Sequence, residues 1–444
     1  MNKDNNTLQI INPDAAGIDI GSKVHYVCVP QDRDEEYVRK FGSFTDDLHK
    51  MADWLKICGI KTVAMESTNV YWIPVYQILE QSGFEVYLVN AKHVKNVPGR
   101  KSDVKDSQWL QKLHSCGLLH ASFRPEDSTC KLRSYIRQRE RLVQNASMHT
   151  LRMQKVLTEM NIRLRNVVTD ITGITGMAII RAIIDGERDP VKLAKLRDYR
   201  IKSSEDTIAR SLQGNYRQED LFILKQEFEL YMYYLQKIGE IDIEIEKYYK
   251  NFEPKGNEVI KDNSRKHGHK PKFNLKQELY NMTGLDFSTI PGLNILTVQT
   301  IISEVGLDMS KWQTENHFSS WLGLSPANKI TGEKVFSTKT RKVINRASTA
   351  FRIAAVAAGK TQTAIGAFMR RIKIKKGAPK AITAAARKIA CLFYRLLKFG
   401  HEYVEHGMVH YEQTYKAKLV YGLEKRAKEL GFTLVENPEN QCAT

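Results

Sequence analysis

The sequence predicts an α/β N-terminal domain built on one mixed sheet, a helical middle carrying a coiled coil, and a mainly α-helical, basic C-terminal domain. Three observations predict it. Strand-like and helix-like runs follow one another from residue 15 in the order βββαβαβ, with a further helix beginning near Ser102. An apolar heptad passes through Leu221, Leu224, Phe228, Tyr231, Leu235 and Ile238, breaks at Asp242 and resumes at Ile245 and Tyr249. Finally, eighteen Lys and Arg stand against one acid, Glu333, between Lys329 and Lys398. The expected parts are 14–120, the sheet domain; 125–252, basic helices and the coiled coil; 253–286, a basic linker; 287–403, the C-terminal domain; and 404–444, a tail.

In chain order, 15–30 and 36–44 read as strands about the polar turn Gln31 to Glu35, with room for a second strand within 23–30. Thr45 opens a helix on which Leu48, Met51, Trp54 and Leu55 recur at helical spacing, and Gly59 closes it. Lys61 to Glu66 is a short buried-type strand, Val70 to Gln81 a helix and Glu85 to Val89 another strand. Residues 125–170 are helical and basic. From 221 the heptad predicts a helical hairpin or coiled coil, serving either self-association or packing within the subunit. The linker histidines His267 and His269 have no neighbouring ligands, so no metal role is expected. Ile290 to Asn294 reads as a tight turn opening a helix, where backbone N–H groups can meet phosphate or simply begin the helix. Helices are expected over Ala347 to Ala358 and Pro379 to Phe399, with cations interleaved among small apolar residues.

The 444 residues, 42% hydrophobic and 27% charged, are enough for two or three domains with cores and exclude a disordered chain. A net charge of +18 and a pI near 9.4 favour a polyanionic partner, nucleic acid first. No apolar run approaches a membrane span and the first residues show no signal-peptide core, so no membrane partner and a cytoplasmic, nucleoid-associated location are expected. The six cysteines lack C-x-x-C spacing, which indicates neither a zinc site nor a disulfide framework.

The chemistry gathers on four carboxylates. Asp19 stands in the apolar run Ala16-Gly17-Ile18-Asp19-Ile20-Gly21, where burying a carboxylate is costly unless a cation or donor meets it. The glycines there would let a phosphate backbone or a second strand approach. Glu66 ends its strand. Asp103 and Asp106, three apart at a helix start, fall on one face with Leu110 and Leu113. Singly, such an Asp pair is a charge favoured by the helix dipole. If the first and fourth strands are neighbours, however, all four acids converge, and their mutual repulsion calls for divalent cations. Hard oxygen donors select magnesium or manganese, and two ions would serve phosphoryl transfer.

In this strand order, Gly17-Ile18-Asp19, Met65-Glu66-Ser67-Thr68 and Lys101-Ser102-Asp103-Val104-Lys105-Asp106 resemble the DEDD transposases of the IS one-ten family, the bridge-RNA-guided recombinases related to the Piv invertases. Ile290-Pro291-Gly292-Leu293, Trp321-Leu322-Gly323-Leu324-Ser325-Pro326, the run Asn328 to Val335 and Thr340-Arg341-Lys342 extend the likeness. The resemblance implies a ribonuclease-H-like domain of the RuvC type, then a coiled coil and a C-terminal transposase domain. It further implies an insertion-element recombinase that joins DNA through a covalent hydroxyl–phosphoryl intermediate. A structured guide RNA would pair with donor and target DNA, and the DEDD site of one subunit would work with the nucleophile of another in a dimer or tetramer.

The family's nucleophilic serine falls on Thr331, in Thr331-Gly332-Glu333 where relatives commonly read Ser-Gly-Gly. Threonine keeps the hydroxyl but adds a methyl that hinders attack. Three readings stay open: a working threonine, a substitute such as Ser337 or Ser325, or a chain that binds without recombining. Lys334, Lys339 and Arg341 are candidates to stabilise phosphate charge beside it. Together with Lys329, Lys342, Arg346, Arg370 and Arg371 they are the expected nucleic-acid contacts, alongside the basic 131–165 stretch. Two other classes fit parts of the pattern. A metal-dependent junction nuclease would use the carboxylates with water, and an actin-like ATPase or sugar kinase would use Gly17 to Ser22 as a phosphate loop.

Overall fold

A computed structural model describes residues 9–90, 103–256, 258–261, 270–332 and 334–435, without the side chains of 329, 330, 335 and 401–412. The leader 1–8, Lys101, Ser102, His267, His269, Glu333, Cys442 and the side chain of Lys329 lie outside the described residues. The chain forms two compact units, Met1–Arg124 and Pro125–Thr444.

In the first unit, β1 (Ala15–Ile20), β2 (Val24–Cys28), β3 (Val38–Gly42), β4 (Thr62–Glu66) and β5 (Glu85–Val89) form one sheet in the order β3-β2-β1-β4-β5. β1 and β2, like β2 and β3, are antiparallel, whereas β1–β4 and β4–β5 are parallel. The expected long first strand is therefore two, turning at Gly21 to Lys23. Among the described residues three helices cover the sheet: α1 (Thr45–Ile57), α2 (Trp72–Gln81) and α3 (Asp103–Ser115). The result is a mixed five-stranded α/β domain, consistent with the ribonuclease-H-like expectation.

Period-two alternation gives each sheet face its own task. Ala16, Ile18, Ile20, Val63 and Met65 point into the larger core, with Leu48, Met51 and Leu55 of α1 and Val75 and Leu79 of α2. The opposite face carries Gly17, Asp19, Ala64 and Glu66. There Ala64 and Val89 meet Leu110 of α3 in a smaller cluster.

Among the described residues the second unit is helical apart from one hairpin. Its first half pairs α4 (Asp127–Glu159) with α8 (Gln218–Lys250), and between them in sequence lie α5 (Ile174–Ile184), α6 (Pro190–Ala194) and α7 (Glu205–Ser211). Contacts of Ser128 with Tyr248, Arg139 with Asp242 and His149 with Glu227 make α4 and α8 antiparallel. Leu221, Leu224, Phe228, Tyr231, Ile238, Ile245 and Tyr249 are all buried. The heptad thus builds a helical hairpin inside one chain, its apolar side chains packed on α4 and α5.

The break in the heptad has a partner. Asp242, 2% exposed, receives the Nε of Arg139, itself 6% exposed, at 2.5 Å. Removing one charge of a buried pair leaves the other uncompensated. Asp242→Asn is expected to cost the second unit about 2 kcal/mol, read as a lower urea midpoint of its transition.

The second half holds α9 (Leu275–Thr283), α10 (Ile295–Val305), α11 (Glu315–Trp321), β6 (Lys329–Thr331), β7 (Lys334–Ser337), α12 (Arg346–Ala358), α13 (Ala364–Lys376), α14 (Ala378–Phe399) and α15 (His401–Glu429). Alanines 381, 385, 386 and 390 on α14 let its neighbours close on a buried aromatic cluster that includes Phe318, Phe351 and Phe393. Gly292 has φ of +87°, and a Cβ there would stand 2.2 Å from the Ala354 carbonyl, so the turn before α10 needs glycine. Asn294 caps that helix by accepting from the Thr297 N–H, which makes the turn an ordinary helix start. No described helix is long and apolar enough to cross a membrane.

Candidate active site

The four carboxylates are placed by the first unit alone. The β1–β4 register pairs Ile18 with Met65, so Asp19 and Glu66 follow it side by side at the C-terminal ends of two parallel strands. Both face α3, whose first turn carries Asp103 and Asp106. Gly17, two residues before Asp19 on the same face, explains how α3 comes so near. A Cβ on Gly17 would lie 2.2 Å from the Gln111 backbone nitrogen and 2.5 Å from the Ser107 carbonyl oxygen. The close approach expected for a phosphate or a strand is therefore made by this helix.

Hydrogen bonds fix the seat. The Gln111 side chain donates to the Ala15 carbonyl at 3.3 Å, and the Thr62 hydroxyl and His114 Nε2 share a bond of 2.8 Å. Asn12 Nδ2 donates to the His114 carbonyl at 2.8 Å. Burial holds the His114 imidazole below its usual value, so it is neutral near pH 7 and Thr62 meets an uncharged ring.

Asp19 is half-buried, and its carboxyl is pushed up to about 6. Burial is the largest cause; the charges of Asp103, Asp106 and Glu66 follow in that order. The structure therefore brings all four acids into one another's fields. Among the described residues no three acidic, histidine or cysteine side chains are yet grouped closely enough to cage an ion. By donor chemistry the set fits a hard divalent cation, because repulsion between the carboxylates is what such an ion relieves.

The candidate hydroxyls lie in the second unit. Thr331 is exposed beside the β6–β7 turn, paired in register with Lys334 across it. Ser337, at the base of the hairpin, accepts the Lys339 N–H at 3.3 Å. Ser325 shares a 2.8 Å hydrogen bond with the buried Ser319 hydroxyl. The hairpin itself was not foreseen in a domain read as helices.

Several expected nucleic-acid contacts are engaged within the protein. Arg346 pairs with Glu140 and with Glu304. Arg370 donates to the carbonyls of Gly359 and Thr361, and Arg341 to that of Ser320. In the 131–165 stretch, Arg133 and Arg137 converge on Glu304 and Arg139 on Asp242. These three cations bind helices together, while Lys131, Arg141, Arg152, Lys155, Arg163 and Arg165 of the same stretch are exposed. Lys334, Lys339, Lys342 and Arg371 are exposed.

Sequence reading missed one feature. An open cleft of about 1060 Å³ lies between the hairpin and the helices α13 and α14, lined by Phe336, Ser337, Lys339, Lys376, Lys380 and Arg387 among others. Among the described residues no acid lines it. The signal was present as an aromatic residue among cations in Lys334-Val335-Phe336, read only as part of a motif.

Two family models match the chain. One is that of the IS110-type DEDD transposases, over residues 16–162, and the other that of the Transposase IS116/IS110/IS902 family, over residues 286–369. Together they span just over half of the sequence. The chain belongs to the IS110 family of DEDD transposases. The first match contains all four carboxylates and the second contains Thr331. No curated protein matches the chain. As an IS110-family transposase it is a DNA-processing enzyme of insertion sequences, and DNA is its substrate.

Proposed function

We propose that this transposase breaks and rejoins DNA strands by phosphoryl transfer to a protein hydroxyl, with Asp19, Glu66, Asp103 and Asp106 as its metal-holding set. The observation that carries the reading is the convergence of these acids where one sheet face meets α3, with Asp19 pushed up first by burial and then by the charges of the other three. Thr331 Oγ1 attacks phosphorus, an O–P bond to the enzyme forms, and the strand's own P–O bond breaks. The hydroxyl proton passes to the leaving strand end, and the reverse attack by a strand hydroxyl reseals the DNA. Asp19, Glu66, Asp103 and Asp106 would hold magnesium or manganese, which when bound would supply charge stabilisation for phosphoryl transfer. Lys334, beside Thr331 in the hairpin register, offers positive charge to the same phosphate. A structured RNA from the element directs the DNA, and a dimer or tetramer brings the carboxylates of one copy to the hydroxyl of another.

Ser337 is the second candidate nucleophile, because it lines the basic cleft. Magnesium-dependent cleavage of the element's own junction, run with its flanking-region RNA on denaturing gels, separates the choices. Thr331→Ala is expected to abolish the protein–DNA adduct. An adduct that survives and disappears in Ser337→Ala transfers the role, and free ends without any adduct identify a water-using nuclease.

A further inference from the structure

Phe336 is 85% exposed on β7, and its ring stacks on no aromatic or cationic side chain among the described residues. A phenyl group so placed loses apolar stabilisation unless something covers it. What surrounds it is charge of one sign. Lys339, Lys375, Lys376, Lys380, Arg387 and Lys388 line the same cleft, and among the described residues no acid does. The other ring in the cleft, Phe368, already has the Lys388 ammonium over it at 4.5 Å. A second hollow of about 480 Å³ shares Phe368 and Lys388 and continues the basic lining through Arg371 and Lys418. Cations along a groove, with one ring open at its wall, match the chemistry of a strand whose phosphates follow the groove while a base lies on the ring. A duplex keeps its base faces stacked inside; an unpaired base presents one.

We propose that this cleft holds an unpaired polynucleotide strand, with Phe336 as the stacking platform for one base. The inference rests on the reading of the second unit as a nucleic-acid-handling part, and it adds the strand state and the contact residue. Sequence selection is not required of the ring, since every base has a π-face.

The test uses the full chain and short mixed-sequence oligonucleotides, as single-stranded DNA, single-stranded RNA and duplex DNA, followed by fluorescence anisotropy. F336A is expected to weaken binding of both single strands by roughly 5-fold to 100-fold with an unchanged salt slope, and F336W to restore it. K376A is expected to weaken binding and lower the salt slope by about one. A 2-aminopurine strand should lose its quenching in F336A. Because the ring is exposed, its removal leaves no cavity and the fold is kept. Equal single-strand affinity for wild type and F336A overturns the proposal, as does a duplex preference carried by the ring. Better binding of RNA than DNA would place a ribose hydroxyl near Thr338 or Thr340 and leave the proposal standing. Adduct formation scored on the same preparations keeps the two readings apart. A chain that forms the adduct while F336A binds strands normally refutes the stacking site alone. A chain that forms no adduct yet loses strand binding in F336A refutes only the recombination chemistry.

Discussion

Asp19→Asn is expected to remove strand cleavage by more than about 100-fold, beyond the loss from an outer-shell partner of a metal site, while making the metal-free protein more stable at pH 7. The two effects share one cause. Asp19 sits at about 6 against an ordinary 3.8, first through burial and then through Asp103, Asp106 and Glu66. Between those values the folded chain holds the proton that the unfolded chain has lost, so stability falls as pH rises through the window and the deficit persists above it. Asparagine carries no charge at any pH, so the variant should gain about 1 to 3 kcal/mol at pH 7 and nothing below about pH 4. Urea denaturation of both proteins in chelator reads the difference. Added magnesium or manganese should then stabilise the wild type more than the variant, closing the gap. No gain at pH 7 would show that the acids do not share one field, and undiminished cleavage would move the site elsewhere.

That carboxylate set was legible in the sequence because strand periodicity is strict. Asp19 and Glu66 need only sit at corresponding ends of neighbouring strands to face the same way, and the observed β1–β4 pairing supplies the neighbour relation. A helix end announced itself too at Asn294, since a side-chain cap is local chemistry. What stayed hidden depended on partners distant in the chain. Glu304 lies more than 160 residues from Arg137, so nothing local distinguished that arginine from a phosphate contact. The heptad from Leu221 stated that an apolar seam exists but not that α4 of the same chain fills it. The β6–β7 hairpin escaped because strands of three and four residues are too short for alternation to show. Gly17 was seen, but as an opening for a phosphate backbone or a second strand, because the helix that uses the space begins some ninety residues later.

Gly17→Ala tests whether that helix seat sets the geometry of the site. The added methyl would meet the backbone of Gln111 at 2.2 Å and that of Ser107 at 2.5 Å, where ordinary contact begins at 3.4 Å. Both obstacles are main-chain atoms in the middle of α3, so no rotamer change relieves them. The helix must lift from β1 by about 1 Å, with an expected loss of about 3 kcal/mol in the stability of the first unit. Asp103 and Asp106 ride on that helix, and Asp19 and Glu66 stay on the strands, so the lift opens the set along the direction in which the acids converge. A displacement of about 1 Å at reacting groups can cost about 100-fold in rate. The expected result is a variant still folded at low temperature by circular dichroism, keeping the nucleic-acid binding proposed for its second unit, and cleaving at about a hundredth of the rate. Stabilisation by added manganese, measured as a shift in the urea midpoint, should weaken in parallel, a change that a loosened but functionally neutral contact would not produce. Wild-type cleavage and an unchanged manganese response in the folded variant would mean that α3 tolerates the lift and that the carboxylates are positioned by something other than Gly17.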